Sequence, residues 1–350
     1  MSWTAGHINH IWESSDLTFR QLEDIIHKSL HGNLVNLQEK LDGINILITY
    51  KDKKILMARF SEHLKNYGEN ALDINGVLDS SIFIKKTFID VMDHFTMTSI
   101  LSELGFKKIF KEGKVWLSAE ILSIENENVI PYFKNQICAH QLREIDENGK
   151  VIKIINEKKL DELISDIKIS QDSFIDFVLY PIVKTNKVTV GEIENLELLE
   201  NRLTNELKAL MISADLTTKN TIKDYYKIKR ENKSFIDLFT DLGIIVLQNI
   251  EGLATSNPRK SLEKLKIKFY KSYNYLGENL HNNNVDIELS MKAEEILGHY
   301  ERLDRIGGVT SLAPIEGIVF EYKDKLLKLT GSFIPLLKMN NFYRFGINAH

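Results

Sequence analysis

A single cysteine, Cys138, in 350 residues rules out an internal disulfide framework and a cysteine-based zinc site, which suits a reducing compartment and leads us to expect a cytoplasmic protein. Proline is almost as scarce. Five in the whole chain argue against long extended linkers, so irregular structure is expected only in short loops. Long apolar runs are missing too: none follows a basic N-terminal segment and none approaches bilayer length, so neither secretion nor a membrane partner is expected. What is present is an ordinary globular mixture, 43% hydrophobic and 27% charged. The length suits two domains of common size, or one domain with a large insertion.

The net charge of -4 is spread unevenly. Residues 219–271 hold twelve Lys or Arg against six Asp or Glu, a local +6 that leaves -10 for the remainder. Such asymmetry fits an anionic polymer docking at one region, and it fits equally a solvated helix face. Within 219–233 and 259–271 the basic residues interleave with Tyr225, Tyr226, Phe269, Tyr270 and Tyr273. That mixture lets nucleic-acid bases stack while the backbone is neutralised, although amphipathic helices with lysine exteriors read the same way.

Periodicity supplies the coarse organisation. Leu22, Ile25, Ile26 and Leu30 repeat at helical spacing over 19–30, and His31-Gly32-Asn33 ends that helix. Two strands, 34–41 and 44–50, are expected on either side of an Asp42-Gly43 turn, with Ile44, Ile46, Ile48 and Tyr50 on one face. A further turn beginning at Lys53-Lys54 leads to 55–60, and 115–122 and 174–183 are strand candidates rich in β-branched and aromatic residues. From 192 to about 305 the pattern is helical, as in Leu196, Leu199, Leu203, Leu207 and Leu210, and again in Ile287, Met291, Ile296, Leu297, Tyr300 and Leu303. β signals return at 315–322 and 325–330 around Lys323-Asp324, a hairpin. His7, His10 and Glu13 fall at helical spacing, readable as metal ligands, as a phosphate-binding face, or as a polar surface with Trp12 turned inward.

The stretch that carries the most chemistry is Glu39-Lys40-Leu41-Asp42-Gly43-Ile44-Asn45. A lysine, one spacer and Asp-Gly is how enzymes that covalently carry a nucleotide present their nucleophile, though four residues alone fit any exposed turn. Attack on a phosphate needs a neutral amine, and with a solution pKa of about 10.4 only roughly one lysine in 2,500 is neutral at pH 7. The site must lower that value by desolvation or neighbouring cations. Displacement at phosphorus is otherwise mostly positioning and charge neutralisation, which calls for carboxylates and further cations nearby.

Five segments, in order, resemble the covalent nucleotidyltransferase superfamily of ATP-dependent DNA and RNA ligases and mRNA capping enzymes. Lys40-Leu41-Asp42-Gly43 is similar to the nucleophile motif, and Asn45 beyond it resembles RNA ligases, where many DNA ligases have arginine. Ala58-Arg59-Phe60 is similar to the arginine motif that contacts ribose. Trp116-Leu117-Ser118-Ala119-Glu120-Ile121-Leu122 is similar to the motif whose carboxylate, here Glu120, holds the ribose. Glu316-Gly317-Ile318-Val319-Phe320 resembles the metal-binding motif, and Lys325-Leu326-Leu327-Lys328-Leu329-Thr330-Gly331 the final lysine motif that grips the α-phosphate. The opening Gly6-His7-Ile8-Asn9-His10-Ile11-Trp12-Glu13, with the Glu316 and Lys328 segments, also resembles ligase-like proteins encoded by large tailed phages, which would place the protein in host cytoplasm.

The resemblance implies an α+β fold: a nucleotidyltransferase domain (1–190 and 306–350) of two facing antiparallel sheets, interrupted by a helical insertion subdomain (191–305). It implies ATP and Mg²⁺ or Mn²⁺ as cofactors, and a nucleic acid with 5′-phosphate and 3′-hydroxyl ends as partner, RNA before DNA. Lys40 would be the catalytic nucleophile. Gln38 or Glu39 would lie near adenine, with Asp42, Gly43 and Asn45 in the nucleotide site, Arg59 and Glu120 at the ribose, Glu316 and Asp42 at the metal, and Lys325 with Lys328 at the phosphate. A different acceptor, or a nucleic-acid-binding or virion protein that kept the fold without turnover, are the other readings. Three departures stand out. Thr330 occupies the place of a second lysine; Glu120 and Glu316 lie 196 positions apart; and only 22 residues follow Lys328, too few for an appended OB fold. The hairpin matters here, because side chains alternate faces along a strand. A three-residue loop including Lys325 sets Lys328 on the face of Glu316, whereas a two-residue turn sets Lys325 there; we expect the former.

Overall fold

The structure, a computed structural model, describes residues 8–79, 85–123, 135–172, 180–230, 233–252 and 315–331, with isolated helical positions at 267, 271, 274 and 278. In chain order the strands are β1 (Asn9–His10), β2 (Val35–Lys40), β3 (Ile44–Lys51), β4 (Lys54–Ala58), β5 (Val115–Leu122), β6 (Gln136–Ile145), β7 (Val151–Ile154), β8 (Ile182–Lys184), β9 (Thr189–Val190), β10 (Ile250–Glu251), β11 (Gly317–Tyr322) and β12 (Lys325–Thr330). The helices are α1 (Phe19–Leu30), the irregular turn α2 (Lys65–Gly68), α3 (Ile74–Asp79), α4 (Lys85–Leu101), α5 (Glu103–Phe110), α6 (Glu157–Asp172), α7 (Leu196–Ser213), α8 (Ile222–Lys229) and α9 (Lys233–Gln248). This is an α+β fold of mainly antiparallel sheets, and no helix among the described residues is long and apolar enough to cross a membrane. Contacts divide the chain into two units whose bounds differ from the expected ones: the first takes in the described residues of 43–185, the second those of 8–42 and 186–331.

The first unit is built on a sheet in the order β4-β3-β5-β6-β7, with β8 added parallel to β6. The alternation expected for β3 holds: Ile44, Ile46, Ile48 and Tyr50 share a core with Val115, Leu117, Ala119 and Ile121 of β5. Helices α3 to α6 seal that face with Val77, Phe88, Phe95, Phe106 and Leu163. Burying one such side chain contributes on the order of 1.5–3 kcal/mol. The turn into β4 is the two-residue Asp52-Lys53, both at positive φ, rather than one beginning at Lys53. Of the expected strand 174–183, the part 174–179 lies outside the described residues, and β8 begins at Ile182.

The second unit holds the sheet β1-β12-β11-β2, in which β1 runs parallel to β12 and the other pairs are antiparallel. The two strands expected on either side of Asp42-Gly43 are β2 and β3; they lie in different sheets, and the chain passes from one unit to the other at Asp42-Gly43. Helix α1 forms as its apolar spacing predicts, capped by Thr18, whose hydroxyl accepts from the Gln21 N–H while the Gln21 side chain accepts from the Thr18 N–H. Leu203 and Leu207 of α7, Ile222 and Tyr225 of α8, and Phe235, Leu238 and Phe239 of α9 pack with α1 against Ile318, Phe320, Leu327 and Leu329. The described helices of 191–305 thus share one core with the β11–β12 hairpin instead of standing as a subdomain of their own. The second leucine-rich pattern, 287–303, lies outside the described residues.

Candidate active site

The β11–β12 hairpin turns on two residues, Lys323 and Asp324, at φ 47° and 61°, and pairs Tyr322 with Lys325. The expected three-residue loop is therefore corrected. Two successive left-handed residues twist in the sense that flanking strands require, which favours the tight turn over the longer one. The face assignment tied to that loop also fails, because Glu316 precedes the first strand residue and strand alternation stops at Gly317.

Residues opposite one another across a sheet share a face. Thr330, Gly317 and Lys40 are opposite on three neighbouring strands, and His10, Lys328, Val319 and Gln38 form the next row. The other face carries Leu37, Ile318, Phe320, Leu327 and Leu329 into the helical core. Lys40 and Lys328 therefore project from one face, two strands or about 10 Å apart. Gly317 between them keeps that row low: a Cβ there would lie 2.4 Å from the Leu329 carbonyl oxygen and 3.0 Å from Thr330 Cγ2.

Lys40 Nζ donates to Glu316 Oε2 at 3.1 Å and to the Leu41 carbonyl at 2.6 Å. The two side chains retain only 16% and 11% of their exposure, and Lys328 and Thr330 are buried. A lysine–carboxylate pair kept this dry is costly to bury unless its geometry is good, which marks the place as more than surface decoration. Thr330 Oγ1 lies 3.5 Å from His10 Nδ1, and the His10 ring stacks on buried Trp12 at 4.1 Å. His10 belongs to a strand and Trp12 and Glu13 to a 3₁₀ turn, so the helical spacing expected for 7–13 does not form over 9–13; His7 lies outside the described residues. The Glu13 carboxylate instead accepts from the His10 N–H at 2.7 Å.

Two other expected residues turn away from this face. Glu39 alternates to the core side, where its carboxylate accepts from Asn186 Nδ2 at 3.1 Å, while Gln38 stays on the Lys40 side. Lys325, opposite Tyr322, is on the core side as well and is ion-paired with Asp16.

The first unit carries the remaining candidates. Asn45, Glu120 and Cys138 sit opposite one another on β3, β5 and β6, on the face away from the helices. Gly43 is required beside them: a Cβ would lie 2.7 Å from Leu122 Cδ2 and 2.9 Å from the Ile121 carbonyl oxygen. Glu120 is buried, and His140 Nε2 lies 3.8 Å from its Oε1. His140 reaches it because β6 bulges at that point, and Thr185 Oγ1 holds His140 Nδ1 at 2.8 Å. On the same polar face Arg143 is buried, and desolvation pushes its guanidinium down to about 10. Arg59, just past β4, lays its guanidinium over the Phe88 ring at 5.6 Å, on the helix-covered side; burial lowers its pKa. The expected ribose pair is thus split between the two faces of one sheet. His140 and Asn186 were missed by sequence reasoning; the bulge breaks the alternation in β6 that would have announced the first, and Asn186 has no local signal.

No family model matches this chain, and a search of the curated proteins finds none similar to it.

Proposed function

We propose that this chain is an ATP-dependent polynucleotide ligase, with RNA as the preferred substrate, working through a lysyl-AMP on Lys40. The observation that carries the reading is the low-exposure Lys40–Glu316 pair on the same sheet face as Lys328. In support, the Lys-x-Asp-Gly, Glu-Gly and final lysine segments that resemble the nucleotidyltransferase superfamily are distant in sequence, yet meet on adjacent strands β2, β11 and β12.

In the first step Nζ of Lys40 attacks the α-phosphorus of ATP, the P–N bond forms and the bond to pyrophosphate breaks. The AMP then passes to the oxygen of a 5′-phosphate, freeing the lysine, and a 3′-hydroxyl displaces AMP to close the phosphodiester. Lys328 neutralises charge that develops on the α-phosphate, the kind of contribution that dominates phosphoryl transfer. Glu316 and Asp42 offer hard oxygen donors of the type Mg²⁺ prefers, and the ion when bound would supply further charge neutralisation at the phosphates. In the resting state Glu316 pairs with the protonated amine, and before attack Nζ gives up a proton to solvent, which frees the lone pair.

Mass spectrometry of purified protein incubated with ATP and Mg²⁺ tests this. The expected result is a gain of one AMP that disappears in Lys40→Ala, followed by passage of label to a 5′-phosphorylated RNA. An adduct that never moves to any 5′-phosphorylated strand would redirect the reading to another acceptor, and the absence of an adduct would end it.

A further inference from the structure

Away from the lysine sheet, the second unit holds a three-residue cluster that the ligase reading does not use. His27 and His31 are four residues apart at the end of α1, so their rings fall on one side of the helix, centroids 4.2 Å apart. Glu200, in the second turn of α7, faces both. Its Oε1 lies 2.7 Å from His27 Nδ1 and its Oε2 2.9 Å from His31 Nε2. One ligand atom from each of the three lies within 4.8 Å of the others. Lys28, between the histidines in sequence, is turned aside to Asp24 at 2.9 Å and so leaves the cluster without an ammonium in its centre.

Two imidazole nitrogens and a carboxylate oxygen are a donor set that suits zinc and disfavours magnesium or calcium, which take oxygen-rich shells. Donors about 2.0–2.2 Å from a tetrahedral ion are about 3.3–3.5 Å from one another. The observed carboxylate–imidazole pairs, at 2.7 and 2.9 Å, are closer than that, so the donors would part by several tenths of an ångström to admit the ion. The alternative of a purely electrostatic staple explains less: exposed pairs of this kind contribute about 0–1 kcal/mol, yet one carboxylate here orders two rings at once.

We propose that His27, His31 and Glu200 form a binding site for a zinc-class divalent cation, with water completing the coordination. The ion would clip α1 to α7. Because His31-Gly32-Asn33 leads directly into β2, the strand that ends at Lys40, the clip would also fix the junction from which that strand departs. The inference is independent of the ligase reading.

Tag-free protein stripped with EDTA and titrated with ZnCl2 by calorimetry should bind one ion tightly, with MgCl2 as the inactive control. His31→Gln and Glu200→Gln should each weaken binding at least tenfold, while Asp161→Asn, an exposed acid of the other unit, should leave it unchanged. All three positions are partly exposed, so circular dichroism should stay at the wild-type spectrum. Substituting CoCl2 should give the strong visible bands of a tetrahedral ion in the wild type and lose them in His27→Gln/His31→Gln. Zinc binding that is absent, or equal in wild type and variants, would overturn the proposal.

Discussion

The four-stranded sheet of β1, β12, β11 and β2 and the sheet built on β3, β5 and β6 each turn one face to a helix-lined core, and the polar residues on their other faces differ in chemistry. In the first, Lys328 rises from within β12 and Lys40 from the end of β2, with Glu316 at the rim. In the second, the strand interiors present Asn45, Ser118 and Glu120, and Ser118 Oγ finds no hydrogen-bond partner among the described residues. A fold selected for stability alone would fill such central positions with β-branched residues, since a buried polar group costs free energy unless fully bonded. Helices explain the apolar faces of both sheets. Among the described residues the second sheet's polar face is itself partly packed, by Leu47, Ala58, Leu64, Trp116 and Ile145, and the contrast that remains is one of charge: lysines in one unit, a buried carboxylate in the other.

The largest expected effects test whether the two apolar faces are equivalent. Phe235→Ala removes a ring buried among α1, α8 and α9, and Phe106→Ala one buried against β3. Each should cost about 3–5 kcal/mol in urea unfolding. Hydrogen exchange should rise first in β11 and β12 for Phe235→Ala and in β3 and β5 for Phe106→Ala; exchange that rises uniformly in both would erase the distinction between the cores. Next in size, Lys328→Ala should slow AMP-adduct formation by about 10²–10³-fold with urea stability near that of wild type. Lys325→Ala is the matched control on the opposite face. Its pair with Asp16 is partly exposed, at 30% and 39%, so the loss should be about 0–1 kcal/mol, with adduct formation within a factor of about two. A larger catalytic effect from Lys325 than from Lys328 would reverse the face assignment.

Much of this was legible in the residues. The bounds of α1 and β5 match their periodicity and composition, because α1 had one apolar stripe to bury and β5 is buried along its whole length. The pairing of β2 with β11 was not legible, since it joins residues nearly 280 positions apart and depends on tertiary contacts. The hairpin at Lys323-Asp324 was legible but the length of its loop was not: Lys-Asp has no strong turn preference, and two left-handed non-glycine residues are tolerated there because strand twist favours them. Lys40 was found from its motif, whereas its partner's direction came from the point where β11 begins. His140 was hidden by a bulge, and the cluster of His27, His31 and Glu200 by the separation of α1 from α7.

The smallest effect concerns the helices that coat the lysine sheet, where two capping boxes share one geometry and differ in charge. Thr18 with Gln21 starts α1, and Thr221 with Asp224 starts α8; the threonines themselves pair as a β-bridge. Asp224 accepts from the Thr221 N–H at 3.0 Å, and that bond, followed by those from the Lys227 and Thr221 side chains, lowers its pKa from 3.8 to about 2. A carboxylate whose folded pKa is depressed stabilises fully above its unfolded value and loses that contribution as pH falls through the folded one. Between about pH 4 and pH 2, α8 should therefore loosen while the start of α1, held by a neutral amide, does not. Amide exchange of residues 222–225 against 19–22 over that range reads the difference directly, and in Asp224→Asn the pH dependence of α8 should vanish. Equal acid sensitivity at both helix starts would mean that the loss comes from the shared core and not from the cap.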